Sequence, residues 1–185
     1  MSAAYIKVME SGITDDAPAL DEAGLRLLCD EMLHRLGRWL RAAGYDTALA
    51  ERGARDRELL EQAEREARLL VTRDRGLAKL AGERALLLHS EGVDANAAEV
   101  SRRLAIDWMA AAFTRCLMDN TPLRPAKADE RIHAPRSARE LPGPLHVCPR
   151  CRRVFWPGSH MRRMRGRLEA WQARSEGDQD RGSLP

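Results

Sequence analysis

Two short apolar runs that each give way to an aspartate restrict this chain's fold more than any other feature. Leu25-Arg26-Leu27-Leu28-Cys29 ends in Asp30, and Leu69-Leu70-Val71-Thr72 leads to Asp74. Short runs of this composition are consistent with buried strands, and helical spacing follows each of them. Met32, Leu33, Leu36, Trp39 and Leu40 recur at helical intervals up to Gly44, which suits a C-cap, while Leu77 and Leu80 lie on a short helix beyond Asp74. Tyr45–Ala50 reads as a second strand, and Asp56 caps a helix whose apolar positions are Leu59, Leu60, Ala63 and Ala67. Ala85–Leu88 and Ala95–Leu104 read as a fourth strand and its helix. Alternation of this kind predicts an α/β layer sandwich around a mainly parallel sheet.

After about residue 108 the alternation stops. Residues 121–146 hold Pro122, Pro125, Pro135, Pro142 and Pro144 and few apolar side chains, so a loop-rich region is expected between Cys116 and Cys148-Pro-Arg-Cys151. A loop of that length needs its ends pinned, and metal is the expected pin. A basic helix is expected from Ser159 to about Arg174. The predicted organisation is therefore a flexible leader (1–24), an α/β domain (25–107), a small metal-held module with its basic helix (108–167), and a helix end with a disordered tail (168–185). With 185 residues and 44% hydrophobic content, one domain with a small appendage can bury a core.

Charge divides the same way. Residues 1–100 carry 14 Lys and Arg against 19 Asp and Glu, and residues 101–185 carry 17 against 9. Only Lys7, Lys79 and Lys127 are lysines, so the excess is arginine, whose fork suits phosphate. Between Cys148 and Arg167 stand Arg150, Arg152, Arg153, Arg162, Arg163, Arg165 and Arg167 and no acid. Nucleic-acid backbone is the natural counterpart of such a cluster; docking against the acidic first half is the competing expectation. No stretch approaches the ~20 apolar residues of a membrane span, and the first residues lack the regions of a signal peptide. A cytoplasmic protein without membrane contact is the expectation. Aromatic residues at 4% argue against broad base-stacking surfaces.

Ligands of open α/β sheets sit outside the carboxyl ends of the strands. Asp30 and Asp74 fall at such ends, Asp56 at the start of the helix between them, and Asp94 and Glu91 follow the fourth strand. Converging carboxylates without a basic partner call for a cation, and hard oxygen ligands suit Mg²⁺ or Mn²⁺. Each aspartate has a second reading, as the N-cap of the following helix.

Leu27–Leu33, Leu36-Gly37-Arg38-Trp39-Leu40-Arg41, Gly44-Tyr45-Asp46, Arg68–Leu77, Arg115-Cys116, Cys148-Pro-Arg-Cys151 and Phe155-Trp156-Pro157-Gly158-Ser159-His160 together resemble the Mut7-C ribonuclease family over roughly residues 25–165. That resemblance implies a PIN-like three-layer α/β nuclease domain followed by a zinc-ribbon-like module. It further implies a metal-dependent ribonuclease whose acids map onto Asp30, Asp56 and Asp74, with Asp94 the best-placed fourth. Arg38, Arg41 and Arg73 would contact substrate phosphates, or else serve as solvated charges or partners of the acids. Arg162, Arg163 and Arg165 would hold the RNA. PIN-like domains often pair, which leaves a homodimer open. A non-catalytic RNA- or ribosome-binding adaptor that retains the fold is the alternative. A phosphatase-like domain using Asp30 as nucleophile ranks third, since Lys79 is the only lysine of the α/β portion.

The sequence departs from the family at its metal site. A ribbon usually offers two Cys-x-x-Cys knuckles, and here the first reads Cys116-Leu-Met-Asp119. Asp119 stands at the ligand position beside Cys116, Cys148 and Cys151, with His146 the competing fourth ligand and His160 a more distant one. Zn²⁺ is the expected ion, bound more weakly through carboxylate than through a fourth thiolate. Loss of the metal, with the module held by packing around Phe155 and Trp156, is the other expectation.

Overall fold

Four strands, β1 (Arg26–Cys29), β2 (Asp46–Leu49), β3 (Leu69–Thr72) and β4 (Ala85–Leu87), pair in parallel in the order β2-β1-β3-β4 in the computed structural model, which describes residues 24–182. Between them run α1 (His34–Ala42), entered by one 3₁₀ turn at Glu31–Leu33, then α2 (Asp56–Arg65) and α3 (Arg75–Ala81), with α4 (Val93–Leu104) after β4. Residues on β1 and β3 alternate between two cores. Leu27, Cys29, Leu69 and Val71 pack with Leu36 and Leu40 of α1 and Ala97 and Val100 of α4. Leu28 and Leu70 pack with Leu59 and Ala63 of α2 and Leu77 and Ala81 of α3. Both faces of the sheet are thus covered, which is why the central strands β1 and β3 carry the apolar runs Leu27–Cys29 and Leu69–Val71, whereas the edge strand β2 begins Asp46-Thr47. The expected three-layer α/β sandwich is the observed architecture.

The chain steps from β1 outward to β2, then back across β1 to β3. Crossovers of one hand require the connecting helix to change faces when the direction reverses. That change occurs here, with α1 on one face and α2 and α3 on the other. The reversal leaves a crevice between β1 and β3, where Cys29 lies beside Val71.

Several local expectations need correction. Ala67 is not a buried helix position: α2 ends at Arg65, and Ala67 turns left-handed at φ 48° while Arg68 N–H bonds back to the Ala63 carbonyl at 2.8 Å. Met32 and Leu80 point outward, 55% and 64% exposed. Gly44 does terminate the first helix, at φ +98°, and a Cβ there would collide with the Ala111 backbone.

Beyond α4 the chain builds a small antiparallel sheet, β5 (Arg124–Pro125), β6 (His146–Val147) and β7 (Val154–Phe155), with one short helix, α5 (Arg136–Arg139). The final helix, α6 (Ser159–Gly182), runs past Arg174, so residues expected in a disordered tail are helical as far as Gly182. It packs back onto the first domain: Leu168 and Trp171 are buried in the same core as Leu27 and Trp108. Trp171 meets Trp39 and Trp108 edge-on, with ring centroids 5.1 and 4.8 Å apart. The expected leader, apart from Gly24, and residues 183–185 of the tail lie outside the described residues. Among the described residues no helix is long and apolar enough to cross a membrane.

Candidate active site and metal centre

All four strands of the first sheet are parallel, so their carboxyl ends share one edge. Asp30 directly follows β1, Asp74 is the second residue beyond β3, Asp56 opens α2, and Asp94 lies in the first turn of α4. Asp30 and Asp74 flank the crevice where the chain direction reverses, the position at which doubly wound sheets bind ligands. Thr72, wholly buried at the end of β3, joins them. Its hydroxyl donates to Asp30 Oδ2 at 2.6 Å, and its oxygen accepts the Asp74 N–H at 3.0 Å. Nothing in the spacing marks Thr72; only the register of β1 against β3 reveals it.

The capping roles also exist. Asp30 Oδ1 accepts the Glu31 N–H, and Asp74 Oδ1 accepts the N–H groups of Gly76 and Leu77 at 2.6 and 2.9 Å. Each carboxylate oxygen has two lone pairs, so these bonds leave Asp74 Oδ2 and further lone pairs on Asp30 available. Asp30 is only 9% exposed, and no ion pair among the described residues engages Asp30, Asp56 or Asp74. A buried carboxylate without a cationic partner is costly, and a bound cation relieves that cost. Glu31, a residue not singled out from sequence, points across this edge and accepts the Gly53 N–H at 2.9 Å from the loop before α2.

Asp94 is engaged elsewhere. Arg167 of α6 pairs with it at 2.7 Å, and Trp171 Nε1 donates to it at 2.9 Å. These two hydrogen bonds hold its carboxyl below the usual range. Arg167 also lies over the rings of Trp39 and Trp171, 5.3 Å from each centroid. For this arginine, docking is therefore the observed role.

Arg41 likewise differs from expectation. It is 5% exposed and gives its Nε–H to the Thr47 carbonyl at 2.7 Å and Nη1–H to the Leu117 and Met118 carbonyls at 3.2 and 2.8 Å. Three of its five N–H donors are used in this way, and they hold the Cys116–Asn120 turn against β2. Asn120 completes the anchor, accepting the Thr47 N–H at 3.0 Å and donating to Asp46 at 2.6 Å. Arg38 remains exposed on α1, and Arg73 pairs with the exposed Glu91 at 2.7 Å. Arg162, Arg163 and Arg165 are exposed on α6, where Arg162 reaches the Pro157 carbonyl and Arg165 lies over the Phe113 ring.

The candidate metal centre is assembled from two turns with the same backbone. Cys116 N–H bonds to the Thr121 carbonyl and Asn120 N–H to the Cys116 carbonyl; Cys148 N–H bonds to the Arg153 carbonyl and Arg152 N–H to the Cys148 carbonyl. Asn120 and Arg152 are both left-handed, at φ 69° and 58°. Asp119 thus occupies in the first turn the place of Cys151 in the second. The donor atoms of Cys116, Asp119, Cys148 and Cys151 all lie within 4.8 Å of one another. Cys116 and Cys151 sulfurs stand 3.7 Å apart, and the Cys148 sulfur is 3.4 Å from both Asp119 oxygens. Tetrahedral bonds of about 2.3 Å to sulfur and 2.0 Å to oxygen require separations of about 3.8 and 3.5 Å, consistent with a zinc module. His146 lies in β6 opposite Phe155, and neither it nor His160 belongs to the donor cluster. Burial pushes the Cys116 thiol up to about 12. Burial opposes ionisation of Asp119 too, yet the Thr121 N–H and the neighbouring thiols hold its carboxyl below the usual range.

Comparison with known proteins finds one family. The Mut7-C RNAse domain matches residues 25–168, a span that includes both the strand-end aspartates and the Cys₃Asp cluster. The chain belongs to that family, which implies a ribonuclease-like function and an RNA substrate. No curated protein matches it, and no solved structure matches it.

Proposed function

We propose that this member of the Mut7-C RNAse family hydrolyses RNA phosphodiester bonds at the carboxyl edge of a PIN-like parallel sheet, with Asp30, Asp56 and Asp74 as ligands of Mg²⁺ or Mn²⁺. The observation that carries the reading is Asp30: buried at the β1/β3 crevice, free of any cationic partner among the described residues, and tied to Asp74 through Thr72. A divalent ion held there supplies an activated water and neutralises charge on the attacking and leaving oxygens. The chain's own contribution is to fix the carboxylates in advance. Thr72 orients Asp30 from one side and the Glu31 N–H from the other, while the first turn of α3 immobilises Asp74. Arg38, exposed on α1, and Arg73, whose partner Glu91 is 85% exposed and easily exchanged, are placed in the role of phosphate contacts. Asp94 is assigned to docking α6.

The module from Cys116 onward acts as a zinc ribbon in this reading, with Zn²⁺ on Cys116, Asp119, Cys148 and Cys151. Its first turn is anchored to the α/β domain by Arg41 and Asn120, so the ion fixes the second turn, and with it Arg150, Arg152 and Arg153, relative to the nuclease edge.

The adaptor reading retains one specific support. Asp30 and Asp74 both serve as local caps, a role that would preserve them without catalysis. Incubation of the purified protein with mixed structured and unstructured RNAs, in Mn²⁺ or in EDTA, separates the two. Cleavage in Mn²⁺ that EDTA abolishes is expected. RNA bound tightly but left intact under both conditions would establish the adaptor, and cleavage undiminished by EDTA would remove the divalent ion from the account.

A further inference from the structure

We propose that the cavity between β7 and the first turns of α6 receives one unstacked base of the RNA, a substrate subsite that rests on the ribonuclease reading above. The cavity measures about 260 Å³, and its lining combines Phe113, Phe155 and Trp156 with Met161 and Met164 and with aliphatic side chains such as Leu123. Its shape follows from the Trp156-Pro157-Gly158 corner. Gly158 N–H turns back to the Trp156 carbonyl at 2.8 Å, and the indole lies across Gly158 so closely that a Cβ there would stand 2.7 Å from Nε1. With no side chain at Gly158 the ring keeps this orientation, and α6 starts one residue later. Phe113, Phe155 and Trp156 remain half-exposed.

What enters must present a flat apolar face and, next to it, negative charge. Arg115 lines the cavity with its guanidinium turned to the Gly44 and Asn120 carbonyls, whereas the exposed Arg165 guanidinium lies 5.3 Å from the centroid of the Phe113 wall. Arg162 and Arg163 are exposed beside Met161 and Met164, and no acid occurs between Cys148 and Arg167. Aromatic and thioether faces next to the exposed arginines at the start of α6 match a nucleobase on its phosphate backbone. A second copy of this chain would bring the same positive rim against itself. Few polar groups reach the cavity, His160 and Ser159 among them, so the subsite grips a base with little preference for which one.

Two measurements on the full chain, both in EDTA to prevent cleavage, decide the matter. In the first, Ser159→benzoylphenylalanine at the exposed rim is irradiated with a radiolabelled unstructured RNA, and the adducts are mapped. In the second, wild-type protein binds that RNA trimmed to the length it protects, so that only one register fits, with one abasic nucleotide moved along it. The expected result is an adduct to RNA at residue 159, and one abasic position, at the cross-linked nucleotide, that weakens binding by about 5- to 150-fold. RNA bound by wild type with no such position, no adduct to RNA, or adducts only to residues 1–24 or to a second copy, would overturn the subsite and leave the ribonuclease reading intact. Failure of wild type to bind RNA at all would overturn both.

Discussion

Replacing Trp171 by alanine tests whether α6 is an integral part of the first domain. Trp171 is 3% exposed, stands edge-on to Trp39 and Trp108, and lies under the Arg167 guanidinium. Truncation of a buried tryptophan costs about 3–5 kcal/mol, a range that already contains the lost aromatic pairs and the cavity. The broken bond from Nε1 adds little, because Asp94 is 54% exposed and water replaces the donor. A loss of about 3–4 kcal/mol is therefore expected. In urea, with a slope of about 1–3 kcal/mol per molar, the midpoint should fall by more than about 1 M. The assay is unfolding followed by far-ultraviolet circular dichroism and by tryptophan fluorescence at fixed zinc concentration, with coincident curves expected. Arg167→Gln should cost less, since its surface ion pair with Asp94 is worth under about 1 kcal/mol and its contacts with the Trp39 and Trp171 rings about 0.5–1 kcal/mol each. A loss below about 1 kcal/mol for Trp171→Ala, or a wild-type transition in which α6 melts first, would refute the reasoning.

Three further outcomes follow from single residues. Ala67→Gly should raise stability by about 0.5–1 kcal/mol, because Ala67 is exposed and left-handed and glycine adopts that conformation without strain; a lower urea midpoint would contradict it. Asp94 has a lowered carboxyl pKa in the folded protein, so its contribution is complete above the unfolded value of about 3.9 and disappears as pH falls through the lower folded value. The stability difference between wild type and Asp94→Asn should thus be constant near neutrality and shrink below about pH 4; a difference that grows on acidification would reverse the sign argued here. Asp119→Ala should weaken zinc retention against a chelator and Asp119→Cys should strengthen it, measured as zinc per chain by elemental analysis. Unchanged retention in Asp119→Ala would remove Asp119 from the ligand set.

The parallel sheet was legible because strands buried on both faces must be apolar throughout, and Leu27-Leu28-Cys29 and Leu69-Leu70-Val71 are. The place of Asp119 in the Cys₃Asp cluster was legible because a repeated turn brings its side chains together at a fixed spacing. Arg41 was not: as a basic residue on the helix beside the candidate site it reads as a phosphate contact, and only the return of the chain to Leu117 and Met118 buries it. Arg167 and Asp94 misled for the same reason, since they are 73 residues apart and meet through the docking of α6. That docking was hard to foresee in a helix dominated by arginine, where Leu168 and Trp171 supply the deepest buried anchors. Ala67 passed as a helical apolar position because alanine suits helices, and nothing local announced the left-handed turn.

The central claim is that the strand-end carboxylates joined by Thr72 perform the hydrolysis. The direct measurement is the single-turnover cleavage rate of an unstructured RNA in Mn²⁺ by wild type and by the Asp30→Asn, Asp74→Asn double variant, with equal folding established by circular dichroism. The amides can still accept the capping hydrogen bonds but lose the charge that holds a cation. The variant's rate should fall to that of wild type in EDTA while RNA binding persists. A folded double variant that cleaves at the wild-type rate would contradict it.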